Sequence, residues 1–372
     1  MKSLCLGGTA RVIDRAQSLG IEVINLTPGN SYGSDTIPSY DHATFLPFAC
    51  TVFRREHCDT VWCFTEHGLV HGAWIAAMMG VSRANPPVVV EATRHKTVMR
   101  QILSHQGDLS WPWDRVKTAS DITLFVEKFG PSVVKPCHGT GSERVSLVST
   151  ETAPQRIGDW IIEQFIPGEE YSAEGFCQNG NFQLVALTAK RSDQNFVEMG
   201  HIMPAKQLVS DDVVPWLSMV HRALGIQWGP THTEFKWHSG RFIVVETHTR
   251  PGGDRITELV HLTTGIDLVK WHMCQSLDLP YSPDSPSAHA AAIRFFDVTP
   301  GRLSRVEGVD RVSNHPQVTE CILPSIGQQI APRTGSTSRA GHFIVVGDSP
   351  DEVSALCDEL ENQVVFTVEE HI

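Results

Sequence analysis

The sequence predicts a mixed α/β (α+β) protein in which a β-rich insert forms a lid on a base. Three observations carry this reading. The first ninety or so residues alternate short apolar runs with helical patterns, the β-α-β rhythm of a parallel sheet. From residue 132 to about 190 the periodicity turns to strands. Strands and helices then mix again from 195 to 285, and PSAHAAAIRFF opens a last segment.

The elements follow in order. SLCLG (3–7) reads as a strand, TARVIDRAQSLG as a helix ending at Gly20, and IEVINL as the next strand. DTVWCFT (59–65) is another, followed by a helix through Met79. No GxGxxG follows the first strand, so a dinucleotide site is not expected there. Residues 93–130 read as connecting helices, with Val98, Met99, Ile102 and Leu103 on one stripe. SVVKP, RVSLVS, WIIEQF, EYSAEGF and FQLVALTAK read as strands. The last segment gives short strands and one helix, DEVSALCDELEN.

Bulk properties narrow the function. A chain of 372 residues implies two to four domains. A formal charge of −12 argues against nucleic-acid or anionic-membrane partners. In MKSLCLGGTARVID, glycines and Arg11 interrupt the apolar run before a signal peptide could form. LVHGAWIAAMMGV is too short to span a bilayer and contains His71. The nine cysteines are scattered without a CxxC, which reads as reduced thiols in a cytoplasmic protein.

Three segments carry chemistry. THTEFKW and RFIVVET form a hairpin around His238, Ser239 and Gly240. With Trp237 opposite Arg241, Glu234 faces Val244 and His232 faces Glu246. Glu234 and Glu246 are then diagonal neighbours, roughly 7–8 Å apart at the backbone. Period two puts Glu234, Glu246, His248 and Arg250 on one face. Carboxylates that close repel unless a cation lies between them, and hard oxygen donors suit Mg²⁺. A solvated face of alternating charges is the bland alternative, and the apolar FIVVE argues against it. In VVKPCHGTGSERV a strand delivers Lys135 to a loop with Gly139, Gly141 and Ser142, well placed to meet phosphates. An ordinary strand–turn–strand hairpin reads the same way. WIIEQFIPGEEYSAEG offers Glu163 and the main chain through Ile166 to an adenine edge, and Glu170 to ribose hydroxyls. An ordinary hairpin is again the alternative.

In this order and spacing the segments resemble the ATP-grasp superfamily over nearly the whole chain. The FVEMGHIMPAK and GPTHTEFK stretches resemble its carboxylate–amine ligase branch, the L-amino-acid (dipeptide) ligases. The resemblance implies an N-terminal Rossmann-like domain (1–92) and linker helices (93–130). A β-rich lid (131–190), a metal and substrate subdomain (191–285) and a biotin-carboxylase-like C-terminal domain (286–372) follow. It implies ATP and Mg²⁺, for which Mn²⁺ can substitute. Lys96 and Lys135 would hold phosphates, covered by the Gly139, Gly141 and Ser142 backbone. Glu163 and Ile166 would meet adenine and Glu170 the ribose. Glu234 and Glu246 would bind metal, with His248 where the family usually has Asn. Arg250 would stabilise an acyl phosphate, and Gly252 and Gly253 would let substrate approach. Glu198 and His201 are the candidates for substrate contact or amine deprotonation, a packed structural histidine being the alternative for His201. Arg255 is a candidate for a substrate carboxylate, and Arg294 for reaching the site from the C-terminal domain, with a surface ion pair as the alternative for both.

Further departures from the family pattern are His95 for the usual Asp, Arg144 for a usual glycine, and a short interval from Val148 to Trp160 with little room for the usual lid helix. The resemblance implies an ADP-forming enzyme that activates a small-molecule carboxylate as its acyl phosphate and joins it to an amine. An amino acid is the expected substrate, and a homodimer is common among relatives. A carrier protein stays open as acceptor. The rival readings are a carboxylase working through carboxyphosphate and a weakly catalytic ATP-binding protein.

Overall fold

Strands Lys2–Leu6, Glu22–Leu26 and Thr60–Cys63 pair in parallel, with Lys2–Leu6 in the middle. Leu4, Cys5 and Leu6 are fully buried, as expected of a central parallel strand covered on both faces. In this computed structural model the described residues are 1–149, 159–206 and 212–369. Helix Ala10–Ser18 makes the first crossover and helix Leu69–Met79 follows the third strand, ending at Gly80 with φ of 72°. A further helix, Phe45–Arg55, has no counterpart in the sequence reading; it buries Phe45, Leu46, Ala49, Cys50, Val52 and Phe53.

Residues 93–130 are not all helix. Helix Lys96–Ser104 is followed by strand Trp113–Val116 and helix Ala119–Phe129. Strand Trp113–Val116 pairs antiparallel with Trp160–Gln164 and so belongs to the lid. The lid sheet runs Trp113–Val116, Trp160–Gln164, Ser132–Pro136, Ser146–Val148. Its small core joins Val134, Val148, Trp160 and Ile162 to Ile122, Phe125 and Val126 of the helix. Most of the Val148–Trp160 interval lies outside the described residues.

The lid also ends earlier than expected. After Pro167 and Gly168, whose φ is 100°, strands Glu170–Gln178 and Asn181–Ser192 join a different sheet. That sheet has eight strands in the order Arg241–His248, Trp228–His238, Glu170–Gln178, Asn181–Ser192, Glu198–Met203, Ala290–Phe295, His342–Gly347, Val318–Ile322. Every pairing in it is antiparallel. It therefore runs unbroken from the carboxylate hairpin into the C-terminal segment. Helix Val213–Leu224 buries Val213, Trp216, Leu217, Val220 and Leu224, a 3–4 spacing that lays one stripe on Tyr171, Phe235 and Phe242. The expected DEVSALCDELEN helix is Pro350–Glu361, capped by Ser349, whose hydroxyl accepts from the Glu352 amide at 3.3 Å.

The hairpin register differs from the expected one. His238 pairs with Arg241 and Trp237 with Phe242. The turn is the two residues Ser239 and Gly240, both at positive φ, 50° and 78°. A bulge then leaves Val245 without a partner, so Glu234 stands directly opposite Glu246 and His232 opposite His248. The diagonal relation becomes a direct cross-strand one.

Candidate active site

Two clefts meet at Thr140, Gly141, Glu234 and Glu246. The first lies between lid and base. Lys96, Lys135, Gly139, Gly141, Ser142, Glu163, Ile166 and Glu170 all line it, so the expected nucleotide residues do converge. The second opens toward the N- and C-terminal domains and is lined by Glu66, Lys190, Glu198, His248, Arg250, Gly253, Asp254 and Arg339.

In the first cleft, Glu163 does not present its carboxylate to a base. Arg100 Nε holds one oxygen at 2.5 Å and Lys135 Nζ the other at 2.7 Å. Burial alone would raise the Glu163 pKa, but these two cations outweigh it and hold it down at about 2. Arg100 also donates to the Val244 carbonyl at 2.7 Å, tying the linker helix to lid and base together. Glu163 is thus a brace for Lys135, with both of its oxygens engaged. Lys96 Nζ lies 3.0 Å from Glu246 Oε2 and 3.1 Å from the Gly139 carbonyl. The glycine loop turns through positive φ at Gly141, Ser142 and Arg144. Arg144, at 62°, holds the left-handed conformation that a glycine adopts without strain. Its guanidinium lies 4.7 Å above the Trp160 ring.

At the junction, Glu234 accepts from Lys190 and from His232 Nε2 at 3.1 Å. The Lys190 ammonium is fully buried among Glu170, Glu198 and Glu234. Glu246 is held by Lys96 and by His248 Nε2 at 3.0 Å. His232 is clamped between Glu234 and Glu174; burial opposes its charge, but the two carboxylates raise it to about 9. Two ionised, directly opposed carboxylates form an all-oxygen donor pair that fits a hard divalent cation. His248 serves as the partner of Glu246 here. Its Nδ1 is buried with no hydrogen-bond partner and lies 3.7 Å from Glu66.

Further along, Arg250 Nε pairs with Glu66, which also receives Arg94 at 3.1 Å. Burial would raise the Glu66 pKa, yet His248, Arg250 and Arg94 bring it to about 2. Gly252 is required by packing: a Cβ there would stand 2.9 Å from His232 Nδ1 and 3.1 Å from Glu174 Oε2. His201 is fully buried and its Nε2 lies 3.3 Å from Asp254. Arg339 Nη1 donates to Asp254 at 2.7 Å and to the Glu198 carbonyl at 2.8 Å.

Of the expected site residues, His201, Gly252, Arg255 and Arg294 line neither cleft. Arg255 makes a two-pronged pair with Glu320, at 2.8 and 2.6 Å, and does not line the cleft. Arg294 pairs with Asp358 and Glu361 of helix Pro350–Glu361 at 2.7 and 2.6 Å and lines a separate cavity beneath that helix. In both, a nearby carboxylate satisfies the guanidinium and fixes its direction. Conversely, sequence reasoning passed over Lys190, Glu66, Asp254 and Arg339. FQLVALTAK does carry a signal for Lys190, a lysine on an apolar strand; the others have no local one.

Residues 151–258 match the ATP-grasp domain family, and residues 294–369 match L-amino acid ligase C-terminal domain 2. An uncharacterised protein of Sinorhizobium fredii is 24% identical over 302 residues, 76% of this chain and 63% of that protein's length. The chain thus spans under two thirds of that relative. An L-arginine-specific L-amino acid ligase of Bacillus subtilis is 21% identical over 294 residues, 72% of this chain and 70% of that protein. Among solved structures, an L-amino acid ligase from Bacillus licheniformis superposes with a TM-score of 0.82 at 21% identity, covering 99% of both chains. No helix among the described residues is long and apolar enough to cross a membrane. The chain thus carries an ATP-grasp domain joined to an L-amino acid ligase C-terminal domain, with the paired carboxylates at the junction of the two clefts.

Proposed function

We propose that the chain is an ADP-forming carboxylate–amine ligase that joins an amino acid to an amine through an acyl phosphate. The observation that carries this is the direct opposition of Glu234 and Glu246 where the two clefts meet, with Arg250 just beyond. Phosphates entering from the lid side would reach Lys96 and Lys135, drawing Lys96 from Glu246. Glu234 and Glu246 would then hold Mg²⁺, which would offset the charge of the phosphates. The substrate carboxylate attacks the γ-phosphorus, a bond to the carboxylate oxygen forms and the bond to ADP breaks. Arg250, whose planar fork suits phosphoryl oxygens, steadies the product acyl phosphate. An amine then attacks the acyl carbon, phosphate leaves and the amine loses a proton.

Glu66, Glu198 and Asp254 line the second cleft, each paired with a cation of the same lining, Arg250, Lys190 and Arg339 in turn. His201 sits behind Asp254 and keeps that carboxylate oriented. The test is ADP release with Mg-ATP across amino acids offered singly and in pairs, with product mass detection. Turnover that needs two amino acids and yields a dipeptide mass is the expected result. Turnover that needs bicarbonate instead would establish the carboxylase reading, and ATP binding without turnover would establish a binding protein.

A further inference from the structure

His95, His138 and Asp159 come together on the lid hinge from three separate segments. His95 caps the linker helix Lys96–Ser104, His138 opens the glycine loop, and Asp159 precedes strand Trp160–Gln164. His95 Nε2 lies 3.8 Å and His138 Nε2 3.6 Å from the same oxygen, Asp159 Oδ2. The two imidazole rings are 4.2 Å apart between centroids. One ligand atom from each residue falls within 4.8 Å of the other two. None of the three lines the nucleotide cleft.

The arrangement is built by the backbone rather than by chance surface contact. Lys96 N donates to the Cys137 carbonyl and Cys137 N to the Asp159 carbonyl, both at 3.0 Å, which stitches the three segments together. His95 Nδ1 is held by the Thr97 hydroxyl at 2.9 Å, and that hydroxyl also accepts from Arg115 Nη2 at 3.0 Å. A ring nitrogen engaged in this way fixes the imidazole and turns the other nitrogen to a ligand. The neighbouring Cys137 thiol is pushed up to about 12 by burial and by Asp159, so it stays protonated.

We propose that His95, His138 and Asp159 form a second metal site that takes a zinc-class divalent ion and staples the linker helix to the glycine loop. A tetrahedral zinc ion keeps its ligand atoms roughly 3.4 Å apart, so the two histidine–aspartate separations, 3.8 and 3.6 Å, need only small shifts to meet it. Two imidazoles and one carboxylate select Zn²⁺, Co²⁺ or Ni²⁺ over Mg²⁺, whereas the all-oxygen pair Glu234 and Glu246 selects Mg²⁺. The two sites therefore sort ions by donor chemistry. His138 and Asp159 are more than half exposed, at 57% and 54% of their side chains, which leaves an open path from solvent. Ion binding would fix Lys96 and Gly139, which flank the ligands and already touch through the Lys96 ammonium and the Gly139 carbonyl.

The test uses the full chain and Co²⁺ as an optical probe, with Zn²⁺ as competitor. Expected are visible d–d bands saturating at one ion per chain, unaltered by saturating Mg-ADP or by Glu246→Gln. His138→Ala and His95→Ala should each weaken binding by about tenfold or more. Zn²⁺ should raise the thermal midpoint of the unaltered protein and leave that of His138→Ala unmoved. Absence of bands in the unaltered protein, or bands that survive both histidine variants, would overturn the proposal. So would bands lost only in Glu246→Gln, since the ion would then lie in the catalytic cleft.

Discussion

Replacing Glu163 by Gln separates two roles for one residue. As a brace, the carboxylate neutralises two buried cations, Arg100 and Lys135. Its pKa falls from an ordinary 4.5 to about 2, which corresponds to about 3 kcal/mol favouring the ionised form in the folded protein. Breaking a buried pair by removing one partner costs about 3–5 kcal/mol, so the two routes agree. Glu163→Gln should therefore lower the free energy of denaturant unfolding by about 3 kcal/mol at pH 7. Mg-ATP and Mg-GTP binding should weaken together, because Lys135 loses its fixed position and the base is not what changed. Acid should have the same effect on the unaltered protein. A carboxylate with a depressed folded pKa contributes its stability above 4.5 and loses it as pH falls toward about 2. The variant should lack this acid-sensitive component. Unfolding free energy unchanged within about 0.5 kcal/mol, together with a selective loss of ATP over GTP, would refute the brace and restore an adenine contact.

Other outcomes follow from the same geometry. His221 is pushed down to about 3 by burial, so its neutral ring favours the folded state fully above 6.5 and progressively less below. Between pH 7 and pH 5 unfolding stability should fall by about 2 kcal/mol more in the unaltered protein than in His221→Leu, by denaturant titration at each pH. Gly252→Ala should cost about 1–3 kcal/mol of stability through the clash with His232 and Glu174, read by thermal unfolding. Arg250→Ala should lower the maximal rate of ADP release about 10²–10³-fold, while Arg255→Ala, engaged with Glu320, should leave that rate within about threefold.

The sequence made legible those features whose signal is local. The strand rhythm, the Lys135 strand end, the Ser349 cap and the hairpin of Glu234 and Glu246 are all short-range patterns. The hairpin register departs from the expected one by one residue at the turn, which holds two residues rather than three, and by one more past the bulge at Val245, which adds a residue without disturbing the apolar run. Strand Trp113–Val116 escaped notice because Asp114 and Arg115 are exposed, so no alternation marks it. What the chain alone could not reveal is pairing at a distance. Glu66 and Arg250 are 184 residues apart, and Asp254 and Arg339 are 85 apart. The three carboxylates around Lys190 meet only because four strands lie side by side in the large sheet. Nothing local marks the acids that engage Arg255 and Arg294, which are Glu320 for the first and Asp358 with Glu361 for the second.

The eight-stranded sheet bears on how chains of this fold can be recombined. Met203 pairs with Ala291 and Gly200 with Arg294, so the seam between the ATP-grasp core and the C-terminal segment is a backbone ladder. Exchanging that segment for a relative's would sever main-chain hydrogen bonds along the seam and expose a strand edge prone to self-association. A graft cut at Gly168 instead crosses a single turn between two sheets and leaves both ladders whole. The transplantable module is the lid, while the walls of the second cleft must be inherited as one piece.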